Sequence, residues 1–223
     1  MKTALCLTPA LAVTVFLLVR AEILKKKQQF YIFKPISTLL VIAIALLSFL
    51  EPTRNPTYSV GVLLGLLLSF GGDVALMFQE NRKAFMVGLV LFLLAHVAYT
   101  VVFALLGRFS AWDALSTIVL LVAGASFYRL IQPNLGTMRV PVMVYILAIS
   151  VMVSRAVSAL VSPAFTGAQA TLIIVGAMLF YASDIILATA RFWRPWKYNR
   201  ISLVFYYGGQ LLIALTASYF GTL

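Results

Sequence analysis

The chain has 223 residues, 63% of them hydrophobic and only 10% charged, and its mean hydropathy is +1.04. Such a composition excludes an ordinary soluble domain and belongs to the membrane class. The formal net charge of +11 is not a nucleic-acid footprint, because the basic residues stand in the breaks between apolar runs.

A helix that crosses about 30 Å of hydrocarbon needs roughly 20 mostly apolar residues. Eight stretches meet or approach that length: about 4–20, 35–50, 58–78, 85–106, 113–131, 140–161, 167–189 and 201–220. The second and fifth are marginal in length, so seven is the alternative count. The breaks read KKKQQ, EPTRNPT, QENRK, GRFS, QPNLG, SPAFTG and RFWRPWKYNR, and their charges, Pro, Gly and Asn stop an apolar helix or turn the chain. Little chain is left outside the membrane. The predicted fold is all-α, a polytopic membrane helical bundle forming one domain over 1–223, with no soluble catalytic domain.

Charge orients the bundle. Arg20, Lys25, Lys26, Lys27, Lys34, Arg82, Lys83, Arg129, Arg139, Arg191, Arg194, Lys197 and Arg200 flank the odd-numbered breaks, against Arg54, Arg108 and Lys2 on the other side. By the positive-inside rule the odd loops face the cytoplasm and both termini the opposite side. The first apolar run follows only Lys2 and imitates a signal peptide, but its stronger positive flank comes after it, so it is read as a retained helix. Cys6, the only cysteine, supports neither an intramolecular disulfide nor a multi-cysteine metal site.

Within this frame the polar residues inside spans are the informative ones. The third span carries Asp73 about one turn before its cytoplasmic end, and the seventh runs the same way and carries Asp184 at a similar height. An ionised carboxylate in lipid costs several kcal/mol, so each must face the bundle interior, a partner or a water-filled cavity. A shared pocket would let one carboxyl act as acid and the other as base. The competing reading is that they cap a broken helix or pair with a lysine.

His96, the only histidine, lies mid-way along the fourth span, and Tyr99, three positions on, shares its face. It can exchange protons or simply pack; a single His with no cysteine cluster is weak support for zinc, although carboxylates and water could complete a site, and no metal ligand or cofactor is assigned. Lys34 opens the second span and is placed to bind a phosphate headgroup, to neutralise an Asp, or to snorkel. Glu22 does the complementary job or ends the first helix. Arg155 lies toward the far end of the sixth span, where pairing inside the bundle and snorkelling outward are both open; Tyr145 is one to two turns inside that span.

In the last span, Gly208 and Gly209 permit close helix approach, and Gln210 places an amide deep in the membrane. Tyr206, Tyr207 and Tyr181 are placed to position a substrate oxygen or water, with aromatic packing as the alternative. No GxSxG elbow, HExxH motif or phosphate-binding loop occurs. Ser69 and Ser183 satisfy backbone groups more readily than they attack substrates.

Taken in order, FKPIST, SFGGDVALMF, LFLLAHVAYT, VYILAISVMVSRAV, GAMLFYASDIILA and FYYGGQLLIAL resemble the lysoplasmalogenase family of YhhN- and TMEM86-like integral membrane proteins. The resemblance covers most of the chain and shows no departure at the Asp positions. It implies an intramembrane hydrolase that cleaves the vinyl-ether bond of a lysoplasmalogen, with a lysophospholipid, water and membrane lipids as its partners. Asp184 is assigned as acid and Asp73 as water-directing base, in an order open to reversal. Lys34 would meet the headgroup, with His96, Tyr99, Tyr181, Tyr206 and Gln210 orienting water or substrate oxygens. Glu22, Tyr145 and Arg155 would give structural or pocket support. The different-class alternative is a proton-coupled transporter or lipid-binding membrane protein, which the same Asp and His residues would serve. The membrane would be a bacterial inner membrane or a eukaryotic internal one.

Overall fold

The computed structural model describes residues 2–51, 55–196 and 199–218, with side chains from residue 4 onward. Arg54 and Lys197, used in the charge argument, lie outside the described residues, as do the last two residues of the eighth expected span.

Among the described residues, eight α-helices follow a short lead-in, Lys2–Cys6: α1 (Thr8–Ile23), α2 (Lys27–Leu47), α3 (Pro56–Met77), α4 (Arg82–Leu106), α5 (Ala111–Ile131), α6 (Arg139–Val157), α7 (Gly167–Phe192) and α8 (Ile201–Thr216). Among the described residues there is no strand. Seven helical stretches are long and apolar enough to cross a membrane, and α8, also apolar, is shorter at 16 residues. The expected all-α bundle is therefore what forms.

The marginal member is not the one expected. Lys27–Leu50 and Ala111–Asn134 each run 24 residues, so the second and fifth spans are full length. The polar KQQ stretch read as a break lies inside α2: long polar side chains at a helix end reach past the apolar layer while the backbone stays helical. The turn shrinks to the residues around Lys25, whose φ of 54° is left-handed.

Four of these eight helix starts are written locally. Asn55 caps α3 and accepts from the Tyr58 amide at 3.1 Å, with Pro56 behind it in the first turn. Asn81 caps α4, and capping boxes at Ser110/Asp113 and Thr166/Gln169 open α5 and α7.

Helix contacts close a ring in the order α2, α3, α4, α6, α7, α8 and back to α2, with α1 packed outside α2 and α8, and α5 outside α6. The α3–α4 and α7–α8 pairs are the most extensive. At the second of these the backbones nearly touch: a Cβ on Gly209 would lie 2.6 Å from the Gly176 carbonyl oxygen. Gly208, expected to share this task, would meet only a Leu179 methyl at 3.5 Å. Outward faces carry Val60, Leu64, Leu67, Val90, Leu94 and Val101, all exposed, as a surface solvated by lipid requires.

Candidate functional site

One end of the ring holds a cavity of about 1260 Å³, counting its open mouth. It lies at the ends of the helices that bear Lys25–27, Arg82 and Arg191, hereafter the basic end. Its walls are mostly apolar: Leu76, Leu89, Phe92, Val142, Ile146 and Ile149. Asp73 and Asp184 both line it, from α3 and α7.

Around Asp73 the polar groups are dense. The Lys34 Nζ is 3.3 Å from Asp73 Oδ1. The hydroxyls of Thr38 and Tyr206 each donate to Oδ2 at 2.7 Å. Tyr207 stands 3.1 Å from the Thr38 hydroxyl and donates to the Lys34 carbonyl at 3.0 Å. Lys34 and Asp73 are buried, so an ion pair shielded from solvent is held at the cavity wall, with two hydroxyls on Asp73 Oδ2 as further support. Lys34 and Thr38 are one helical turn apart on α2, which is why both reach one carboxylate.

Asp184 is held differently. Tyr145 donates to its Oδ2 at 2.6 Å, and His96 Nε2 lies 3.8 Å from the same oxygen, too far for a direct hydrogen bond. The Asp184 side chain keeps 16% of its surface exposed, against 3% for Asp73, so Asp184 is the carboxyl that opens onto the cavity. His96 is fully buried, and neither of its ring nitrogens has a hydrogen-bond partner among the described residues. A buried polar group left in that state is costly unless water completes it.

Rings separate the two carboxyl sites. His96 packs against Tyr145 and Phe180, with centroids 5.2 and 4.8 Å apart. Phe180 packs in turn on Tyr206 at 5.2 Å, and Phe92 touches both Phe180 and Tyr206. Each Asp thus has its own donors, and no hydrogen bond joins the two.

The mouth carries Glu22 and Arg200, paired at 3.1 Å, together with Gln79 and Arg191. Tyr181 and Ser183 also line the cavity. Other expected positions fall elsewhere. Tyr99 is buried in the α3–α4 interface, where its ring stacks on Phe103 and fills the space a Cβ on Gly65 would take. Gln210 is fully buried on α8 outside the cavity wall, with neither amide atom bonded.

Arg155 does not support this pocket. It donates to Asp113 Oδ1 at 2.8 Å at the opposite end of the bundle, where Asp113 also accepts from the Ser110 amide and hydroxyl at 2.8 Å each. Sequence reading missed Asp113, although Ser110 three residues before it is a capping-box spacing. It also missed Thr38, whose signal was its position one turn after Lys34. Among the described residues no three His, Cys, Asp or Glu side chains gather as metal ligands.

Fold and cavity together define a polytopic helical membrane protein with a buried carboxylate site open at one end. The chain belongs to the YhhN family, whose sequence profile matches residues 29–217. It is 30% identical over 160 residues to the protein named lysoplasmalogenase TMEM86A of Bos taurus, covering 70% of this chain and 64% of that one. A protein named lysoplasmalogenase from Mycobacterium tuberculosis (strain CDC 1551 / Oshkosh) is 35% identical over 132 residues, or 57% of this chain and 48% of its own. The membrane protein YhhN of Escherichia coli O157:H7 is 30% identical over 190 residues, covering 83% and 85%. The match thus spans just under two thirds of the bovine relative and about half of the mycobacterial one. No solved structure matches the chain significantly.

Proposed function

We propose that this protein hydrolyses the vinyl-ether bond of lysoplasmalogens inside the membrane, releasing a fatty aldehyde and a glycerophospho-base. The observation that carries the reading is the cavity itself: two carboxyl groups in unlike surroundings lining one space, apolar residues enough for a single alkyl chain, and a cationic mouth. The names of the bovine and mycobacterial relatives agree with it.

Vinyl-ether hydrolysis needs a proton delivered to carbon. Asp184, which opens onto the cavity and has one hydrogen bond, gives its proton to the vinyl carbon remote from the ether oxygen. The C=C electron pair forms that C–H bond, and positive charge falls on the carbon–oxygen unit, facing carboxylate oxygens that stabilise it. Water then adds its oxygen to the ether-bearing carbon and passes a proton to Asp73, fixed by Lys34, Thr38 and Tyr206. The hemiacetal collapses: its hydroxyl proton leaves, C=O forms, the C–O bond to glycerol breaks, and the glycerol oxygen takes a proton. The net change is the addition of one water. His96 and Tyr181 orient that water or the substrate oxygens, and Tyr145 holds Asp184. By the charge asymmetry of the loops, the mouth opens on the cytoplasmic leaflet.

The test is product analysis by mass spectrometry with purified, detergent-solubilised protein and a defined vinyl-ether lysophospholipid. The parent protein is expected to release aldehyde and glycerophospho-base, and in D₂O the aldehyde should carry one deuterium on the carbon beside its carbonyl. Folded Asp73→Asn and Asp184→Asn variants should release neither product above background. Normal turnover in both variants would sink the paired-carboxyl mechanism; intact substrate with the folded parent would sink the reaction.

A further inference from the structure

The mouth of the cavity contains a cation that nothing in the chemistry above uses. Arg191 lies seven residues after Asp184 on α7, so the two share a face about 10 Å apart along the axis, and both line the cavity. Its guanidinium carbon sits 3.7 Å from the centre of the Phe85 ring and 5.8 Å from that of Phe192. Its nitrogens donate to the Gln79 side-chain oxygen at 3.4 Å and the Gln79 carbonyl at 3.3 Å. These are long bonds to neutral acceptors, and they leave most of its five N–H donors unused.

The other cations that line the cavity are already matched: Lys34 pairs with Asp73 and Arg200 with Glu22. Among the described residues, Arg191 has no carboxylate partner. A planar, ring-stacked guanidinium with spare forked donors is the group suited to bidentate recognition of a phosphate, and stacking on Phe85 fixes its plane before a ligand arrives.

We propose that Arg191, positioned by Phe85 and Gln79, is the phosphodiester-binding subsite of this cavity. It sets the specificity for glycerophospho lyso-lipids over neutral ether glycerols. This rests on the reading that the substrate is a lysophospholipid. With the phosphate at Arg191, the glycerol runs back along α7 toward Asp184 and the alkyl chain enters the apolar walls. Recognition is then of the anionic diester and not of the amine beyond it, so different headgroup bases are accepted alike.

Equilibrium binding of a saturated 1-alkyl lysophospholipid, which has no vinyl ether to cleave, tests the subsite independently of turnover. The neutral 1-alkylglycerol and the tail-free glycerophosphocholine are measured beside it. Arg191→Gln is expected to weaken lysophospholipid binding about ten- to hundredfold, the range of a lost charge-assisted hydrogen bond, and to leave 1-alkylglycerol binding unchanged. Arg191→Lys should recover part of the loss. Arg194→Gln, whose guanidinium lies over Trp193 outside the cavity wall, should change neither. Equal losses on both lipids, no loss on either, or glycerophosphocholine binding as tightly as the lipid would each overturn the proposal. Phosphate-selective binding in a parent protein that releases no aldehyde would remove the proposed reaction and leave the subsite standing. Aldehyde release with undiminished lysophospholipid binding in Arg191→Gln would do the reverse.

Discussion

Among the described residues, two Asp–cation pairs lie inside this bundle, one near each end, and they differ in what lies beside them. Asp113 is fully buried, and its oxygens are taken by Arg155, the Ser110 amide and the Ser110 hydroxyl. Arg155 in turn lies over Phe109 at 5.0 Å, and Ser154 bonds Thr117 across the α5–α6 contact at 2.6 Å. That cluster ties α5 to the ring and lines no part of the basic-end cavity. Asp73 and Lys34 are both buried, more so than Arg155, yet one side of their pair faces the cavity that Asp184 shares. A charge inside the membrane therefore does not define a site; a charge that an open, amphiphile-shaped space can reach does.

The sharpest way to break this comparison is to remove one carboxylate from each end. Asp184→Asn should lower kcat by about 10²- to 10⁴-fold, the usual contribution of a positioned acid or base, with little change in thermal stability. Asp73→Asn should lose activity to a similar degree and also lower the melting temperature, since it leaves Lys34 buried without its partner. Asp113→Asn should do the opposite: about 3–5 kcal/mol of stability lost, as for breaking a buried ion pair, with normal turnover per folded molecule. Thermal unfolding in detergent alongside turnover separates the three. A kcat loss in Asp113→Asn as large as that in Asp184→Asn would erase the distinction between the two ends.

A smaller effect probes how α8 brings Tyr206 to Asp73. Gly209→Ala would push a methyl against the Gly176 carbonyl, which is backbone and cannot step aside. Overpacking of this kind costs about 1–3 kcal/mol, and the activity should fall with it as Tyr206 moves. Gly208→Ala, one residue away and in ordinary contact with only a Leu179 methyl, should be neutral or stabilising by up to about 1 kcal/mol, the helix preference for Ala over Gly. Equal melting temperatures for the two variants would count against the close α7–α8 crossing.

Much of this was legible because lipid allows few alternatives. Backbone groups in hydrocarbon must be satisfied internally, so long apolar runs have to be helices and their number follows from length. The Asp73 and Asp184 segments stood out because ionisable groups inside spans are expensive, and both do line one cavity. What failed was of two kinds. Polar residues at helix ends carry no sign of whether the helix continues, so α2 began earlier than its apolar run. Partnership across helices is also invisible to a linear pattern: nothing in the sequence says that Arg155 meets Asp113 and not the pocket, that Tyr99 packs on Gly65, or that Thr38 and Tyr206 converge on one oxygen.

The smallest effect distinguishes how firmly each carboxyl is held. Tyr145 is the only direct hydrogen-bond donor to Asp184 among the described residues, whereas Asp73 keeps Thr38 and Lys34 when Tyr206 is removed. A hydrogen bond to a charged group is worth about 1.5–3 kcal/mol when nothing replaces it, so Tyr145→Phe should lower kcat about tenfold or more. Tyr206→Phe should cost about threefold or less, because the remaining donors keep Asp73 in place. Both variants retain the rings that pack against His96 and Phe180, so differences in packing are small and kcat compares the hydroxyls directly. If Tyr206→Phe proves the more damaging, its hydroxyl has a task beyond holding Asp73. Direct contact with substrate or attacking water would then move the reacting centre from Asp184 toward α8.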